Sequence, residues 1–169
     1  CNEATFDQVK SVAGMFGNHA APDDVYLTLR GLRSMGVRMA RQYKNGVKIA
    51  KWIAEQPIVK QVMHPALESD PGHELWKRDF TGAASLFGFV VDEIDQKKIA
   101  AFLDGMKLFG MGSSWGGFES LLIPTNPSMI RTATKWEPGG QTLRIHIGLE
   151  DTDDLIADLE KGFERLAGN

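Results

Sequence analysis

Apolar and polar positions alternate along this chain with two periods, and the switches between them mark out its elements. From Pro22 to Glu55, Leu29, Leu32, Val37, Ala40, Tyr43, Val47, Ala50 and Ile53 recur at helical spacing. They follow a proline and two acids, Asp23 and Asp24, which suit a helix N-terminus. The pattern predicts one long helix running from one domain into the next, with Gly31, Gly36 and Gly46 as the residues able to divide it. Pro57 stops it. Residues 58–63, "IVKQVM", then read as a short strand, and 74–79 as a helical turn at the end of a polar connection. "ASLFGFVVD", 84–92, is an apolar run of strand length; a helix is expected over 95–103 and another strand over 106–111. In "QTLRIHIGLE", 141–150, Leu143, Ile145 and Ile147 alternate with Arg144 and His146, which predicts a strand with one face in the core. The closing segment "DTDDLIADLEKGFERL" is an amphipathic helix. It carries Leu155, Ile156, Leu159, Phe163 and Leu166 on one side and acids at its positive end. Intermixed strands and helices predict an α/β fold, a sheet covered by helices on one face.

Two places in this frame carry candidate chemistry. Arg144 and His146 share the strand face opposite the core, so the guanidinium there is either solvated or a bidentate fork for a carboxylate, its fixed donors matching two coplanar oxygens. "SSWGGF", 113–118, sets an indole inside a run of serines and glycines. Such a turn exposes N–H groups and hydroxyls toward an anion with Trp115 as an apolar wall, or else it is a structural loop whose indole plugs the domain edge.

Other motifs fail on inspection. "GMGSSW" begins like a dinucleotide fingerprint, but Trp115 stands where the third glycine is needed; "HELWK" lacks the second histidine of a zincin. His19, His64, His73 and His146 show no ligand spacing, so no metal site is expected and each is read as a surface or hydrogen-bonded structural residue. With 19 basic and 22 acidic residues, and no basic run, nucleic acid is not an expected partner. The single cysteine, Cys1, excludes an internal disulfide and fits a reducing compartment; with no apolar run long enough to span a bilayer, the expectation is a cytoplasmic protein without a membrane partner. "CNEATFDQVK" lacks an initiator methionine and an apolar leader, which predicts a piece of a longer protein.

Four stretches, taken in order, carry a resemblance: "TLRGLRSMGVRMARQYKNGVKIAKWIAEQPIVKQVMHPAL", "GHELWKRDFTGAASLFGFVV", "SSWGGFESLLIP" and "LRIHIGLEDTDDLIADLEKGF". Together they resemble the C-terminal part of the Cys/Met-metabolism family of pyridoxal-phosphate enzymes, over nearly all 169 residues. Tryptophan in the second place of Ser114-Trp115-Gly116-Gly117, where most members carry leucine, looks like the carbon–sulfur β-lyase branch, with the γ-acting branches and a non-catalytic binding or assembly module as alternatives.

The resemblance implies the C-terminal domain of a type I pyridoxal-phosphate transferase fold, mostly antiparallel and preceded by a long interdomain helix. Residues 1–34 would be the end of the large cofactor domain and the linking helix, and 35–169 the domain that closes the substrate site. By the same resemblance Arg144 would grip the α-carboxylate of an amino-acid substrate, Ser114 would assist, and Trp115 would line the pocket. The intact protein would be a homotetramer. The family's Schiff-base lysine lies in a Ser-x-Thr-Lys context that these residues do not contain, so pyridoxal 5'-phosphate would be attached elsewhere in the full-length protein and this part would be inactive alone. Lys135, in "TATKWEPGG", follows the glycine turn and is not assigned that role.

Overall fold

A computed structural model describes residues 1–168, and the chain divides into two units, Cys1–Val37 and Arg38–Asn169. In the first unit, α1 (Glu3–Met15) is capped by Asn2, whose side-chain oxygen accepts from Thr5 N at 3.1 Å. Helix α2 (Pro22–Arg33) starts on proline, with Asp23 and Asp24 in its first turn and Arg30 and Arg33 in its last, both favourable to the helix dipole. Neither helix buries a residue.

The single helix expected from Pro22 to Glu55 is instead two. It stops at Ser34 (φ −105°, ψ 3°) and resumes as α3 (Met35–Ala54). The Ser34 N–H and hydroxyl both bond the Gly31 carbonyl at 3.3 Å, a local alternative to the helical ladder. Gly31, Gly36 and Gly46, the expected break points, all stay helical. Gly46 has a packing reason: a Cβ there would lie 2.9 Å from Ser85 Cα, so its absence lets α3 approach the sheet.

In the second unit, β1 (Val59–Met63), β2 (Leu86–Val91), β3 (Phe109–Gly110), β4 (Ser120–Thr125) and β5 (Gln141–His146) form one sheet in the order β1-β2-β5-β4-β3. All pairs are antiparallel except β3 with β4. The remaining helices are α4 (His73–Asp79), α5 (Gln96–Asp104) and α6 (Thr152–Ala167).

Two strands are shorter than their patterns suggest, and β4 was not expected at all. Of 106–111 only Phe109 and Gly110 pair, because Asp158 of α6 takes the N–H groups of Lys107 (2.9 Å) and Leu108 (2.7 Å). Strand β5 ends at His146: Ile147 N still reaches Ser85 O, and Leu149 N turns to Phe118 O at 2.9 Å.

The core lies on one side of the sheet. Phe87, Phe89, Leu122, Leu143 and Ile145 point to it from the strands. Ile49 and Ile53 of α3, Phe102 of α5, and Leu155, Leu159 and Phe163 of α6 meet them. Phe89, Phe102, Leu143 and Ile145 are fully buried, each contributing about 1.5–3 kcal/mol by leaving water. This is the α/β sheet with helices on one face that the intermixed pattern predicts, and it is mostly antiparallel, as the resemblance implies. It leaves the opposite face of β5, with Thr142, Arg144 and His146, for something other than the apolar core.

Candidate functional site

The register places Arg144 between Gly88 of β2 and Ile123 of β4. Gly88 brings no side chain to the sheet face beside the guanidinium. A cleft of about 470 Å³ opens there, lined among others by Met63, Gly88, Ile130, Arg131, Trp136 and Arg144. Trp136 is fixed by its indole N–H, which donates to Thr142 Oγ1 at 3.0 Å, and the Arg131 guanidinium lies 4.7 Å from its ring centre. Two guanidinium groups with apolar walls suit an anionic group on an apolar body.

The other boundary of the Arg144 site is the glycine turn. Arg144 Nη2 donates to Ser113 O at 2.7 Å, and at longer range to Gly112 O (3.5 Å) and Ser114 O (3.4 Å). Its Nε and Nη1 have no hydrogen-bond partner among the described residues. One nitrogen therefore ties the fork to the turn and the others stay available. Beside it, Gly116 N donates to His146 Nε2 at 2.8 Å, and His146 Nδ1 lies 3.1 Å from Glu119 O. An N–H can only donate, so Nε2 is the acceptor and Nδ1 carries the proton. Burial pushes the His146 pKa below its ordinary value; the Glu119 carbonyl and the Glu150 charge oppose that, and Arg144 adds to it.

Helix α3 holds the turn from a second direction. Gln42 Nε2 donates to Gly117 O at 2.6 Å, Arg38 Nη1 to Gly116 O at 3.5 Å, and Asn45 Nδ2 to the carbonyls of Gly148 and Glu150, both at 3.4 Å. A third support is Glu150, whose carboxylate accepts from Ser120 N (2.7 Å) and Ser120 Oγ (2.9 Å). Gly116 needs its left-handed backbone (φ 80°) to present its N–H to the histidine, which is why glycine occupies that place.

Of the residues singled out in the sequence, Arg144 and the backbone of Ser113 and Ser114 come together. Ser114 itself is exposed, and Trp115, 62% exposed, is not among the residues lining the Arg144 cleft. Lys135 is exposed between β4 and β5, and no lysine lines the cleft. Pattern alone did not pick out Gly88, Arg131, Trp136, Gln42 or Glu150. Once β2 and β5 are paired, their register identifies Gly88; the others act across 30 residues or more, or from an irregular segment, where local periodicity is blind.

A larger cleft, about 840 Å³, lies away from Arg144 and is lined by Tyr43, His64, Trp76 and Phe80 among others. His64 beside it is 1% exposed; its Nδ1 accepts from Ala66 N at 3.2 Å, while Nε2 has no partner within hydrogen-bond distance among the described residues. Burial lowers its pKa.

Comparison with known proteins agrees with this architecture. A family model described as Cys/Met metabolism PLP-dependent enzyme matches residues 1–164. The cystathionine beta-lyase MetC of Escherichia coli (strain K12) is 44% identical over 170 residues, covering 98% of this chain and 43% of the relative. The cystathionine beta-lyase of Haemophilus influenzae is likewise 44% identical over 170 residues with the same coverage. A solved cystathionine gamma synthase from Xanthomonas oryzae pv. oryzae, in complex with aminoacrylate and cysteine, superimposes with a TM-score of 0.82 at 30% identity, over 99% of this chain and 44% of that one. The chain thus spans less than half the length of the curated relatives it matches.

Proposed function

The chain belongs to the Cys/Met-metabolism pyridoxal-phosphate-dependent enzymes, and from that membership we propose that it is the C-terminal portion of a cystathionine β-lyase. The full-length protein would take L-cystathionine and water to homocysteine, pyruvate and ammonia by breaking the Cβ–S bond, as a step of methionine biosynthesis. Residues 1–34 would complete the large domain and linking helix, and 35–169 would close over the substrate. The intact enzyme would be a cytoplasmic homotetramer. The observation that carries this reading is Arg144: a half-buried guanidinium tied by one nitrogen to the Ser113 carbonyl, with its remaining donors open beside an apolar cleft.

Pyridoxal phosphate, when bound, supplies the electron sink that makes loss of the substrate's α-proton feasible. By the resemblance its lysine lies in a Ser-x-Thr-Lys context that these residues do not contain, so its attachment would fall to residues outside this chain, and these 169 residues would not catalyse alone. What they contribute is orientation. A carboxylate held by the Arg144 fork is fixed in rotation about Cα, which determines the bond presented for cleavage. Ser114 would add a hydroxyl to the same carboxylate, and Trp115, exposed in this chain, would cover the sulfur-bearing arm of the substrate. Losing the fork removes a charge-assisted interaction of about 1.5–3 kcal/mol, roughly ten- to over a hundred-fold in kcat/KM.

The reading supported by the solved γ-synthase is a related γ-acting enzyme. Product analysis separates the two. The full-length protein, incubated with L-cystathionine, is expected to yield pyruvate and homocysteine in equal amounts; 2-oxobutyrate and cysteine as products would replace the β-lyase reading with a γ-lyase.

A further inference from the structure

We infer that His146 is a positioning residue: its neutral imidazole bridges Gly116 and Glu119, and so sets the geometry of the Ser114–Trp115 turn that meets the substrate. The inference rests on the reading of that turn as a substrate-binding element. Its evidence is separate from Arg144. The imidazole is 2% exposed and spans the turn, accepting from Gly116 N at 2.8 Å through Nε2 and bonding Glu119 O at 3.1 Å through Nδ1. The two bonds demand opposite roles from the ring, and only the neutral Nδ1–H tautomer satisfies both.

No other side chain hydrogen-bonds the Gly116 N–H among the described residues. The supports from α3, Arg38 and Gln42, hold carbonyls at Gly116 and Gly117. They therefore keep the turn near the sheet and leave the N–H orientation to His146. Because Gly116 immediately follows Trp115, the N–H that His146 holds belongs to the peptide that joins the two residues.

Protonation would put a donor on Nε2 facing the Gly116 N–H, turning attraction into repulsion. The charges around the ring are Arg144 on the same strand, Glu119 within the turn, Glu150 after β5, and Arg38 on α3. Burial, the largest influence, favours the neutral ring and opposes protonation at neutral pH. The geometry thus supports a turn that is set at neutral pH and released in acid.

The test uses the full-length enzyme with L-cystathionine, comparing wild type, His146→Leu, His146→Gln and Arg144→Leu. His146→Leu is expected to lower kcat/KM about ten-fold, with the change in KM. His146→Gln, able to offer an amide oxygen to Gly116 N, is expected to restore most of it. Wild-type KM should rise on the acid side of neutrality, and that rise should be lost in the glutamine variant. Hydrogen exchange over 112–119, corrected for intrinsic rates, should quicken in His146→Leu without change in α6. If His146→Leu does not fold, the wild-type and glutamine pH profiles decide: a rise of wild-type KM in acid that the glutamine variant shares overturns the inference, and one that the glutamine variant lacks supports it. An unchanged KM with unchanged exchange in His146→Leu, where Arg144→Leu does raise KM, overturns it while leaving the substrate reading intact. An unaffected KM in Arg144→Leu removes the substrate reading itself.

Discussion

Gly148 connects the end of β5 to the glycine turn, and replacing it with alanine should show how much that junction matters. A Cβ at Gly148 would lie 2.7 Å from the Glu119 carbonyl carbon, and closer still to Phe118 O and Glu150 Oε2. Ordinary contact begins at 3.4 Å, so the backbone at Glu119 must retreat by about 0.7 Å and the Phe118 carbonyl by more. Neither is a flexible side-chain tip that can swing away. The Phe118 carbonyl is also the acceptor for Leu149 N at 2.9 Å, and Gly148 N itself bonds Ser120 Oγ at 2.9 Å. Overpacking of this kind costs about 1–3 kcal/mol and a lost hydrogen bond about 1 kcal/mol net, so Gly148→Ala should destabilise the domain by about 2–4 kcal/mol. A shift approaching 1 Å in a turn that orients substrate should lower kcat/KM on the order of 10²-fold. The assay is steady-state kinetics of the full-length variant with L-cystathionine, alongside its visible cofactor absorbance and a urea unfolding curve. Retained absorbance with the kinetic loss would locate the damage in substrate positioning. Kinetics and unfolding midpoint both indistinguishable from wild type would refute the reasoning.

Three further outcomes follow from the same geometry. Asp158→Ala removes the acceptor that holds Lys107 N and Leu108 N and should cost about 2–3 kcal/mol in urea unfolding, with Asp158→Asn intermediate; an unchanged midpoint would contradict it. Trp115→Leu in the full-length enzyme should change the ratio of kcat/KM for cystathionine over cystine more than it changes the chemistry, and an unaltered ratio would count against a substrate-covering indole. Both His64 and His146 have pKa values lowered by burial, so the unfolded chain takes up protons first as pH falls. Stability should be full above the ordinary imidazole pKa of about 6.5 and decline below it until the folded-state values are reached. Urea midpoints equal at about pH 8 and pH 5.5 would exclude this linkage.

The sequence is informative where one strand or one turn determines the outcome. Strict alternation in 141–146 puts Arg144 and His146 on a common face, and the helix α6 is evident from its acidic cap and apolar stripe. Strand β4 escaped because Leu121, Leu122 and Ile123 run consecutively without alternation, and Pro124 argues against a ladder position. The strand expected at 106–111 is an over-reading for the opposite reason. Its apolar pattern is genuine, but a carboxylate some fifty residues away captures two of its N–H groups. The break at Ser34 carries neither proline nor glycine, and the serine's own bonds to Gly31 produce it. At the site, Arg144, Ser114 and Trp115 are visible as residue types in a pattern. Gly88 depends on strand register, and the hold of Gln42, Asn45 and Glu150 on backbone groups is long-range, so no local window contains it.

The most direct measurement is a crystal structure of the full-length protein with L-cystathionine, or an unreactive analogue, bound. The account predicts one edge of the Arg144 guanidinium, Nη2 paired with either Nε or Nη1, within about 2.7–2.9 Å of the two α-carboxylate oxygens, with the second Nη2 hydrogen still on the Ser113 carbonyl. A bound amino acid whose carboxylate is held by other residues, with the Arg144 guanidinium turned to solvent, would contradict it.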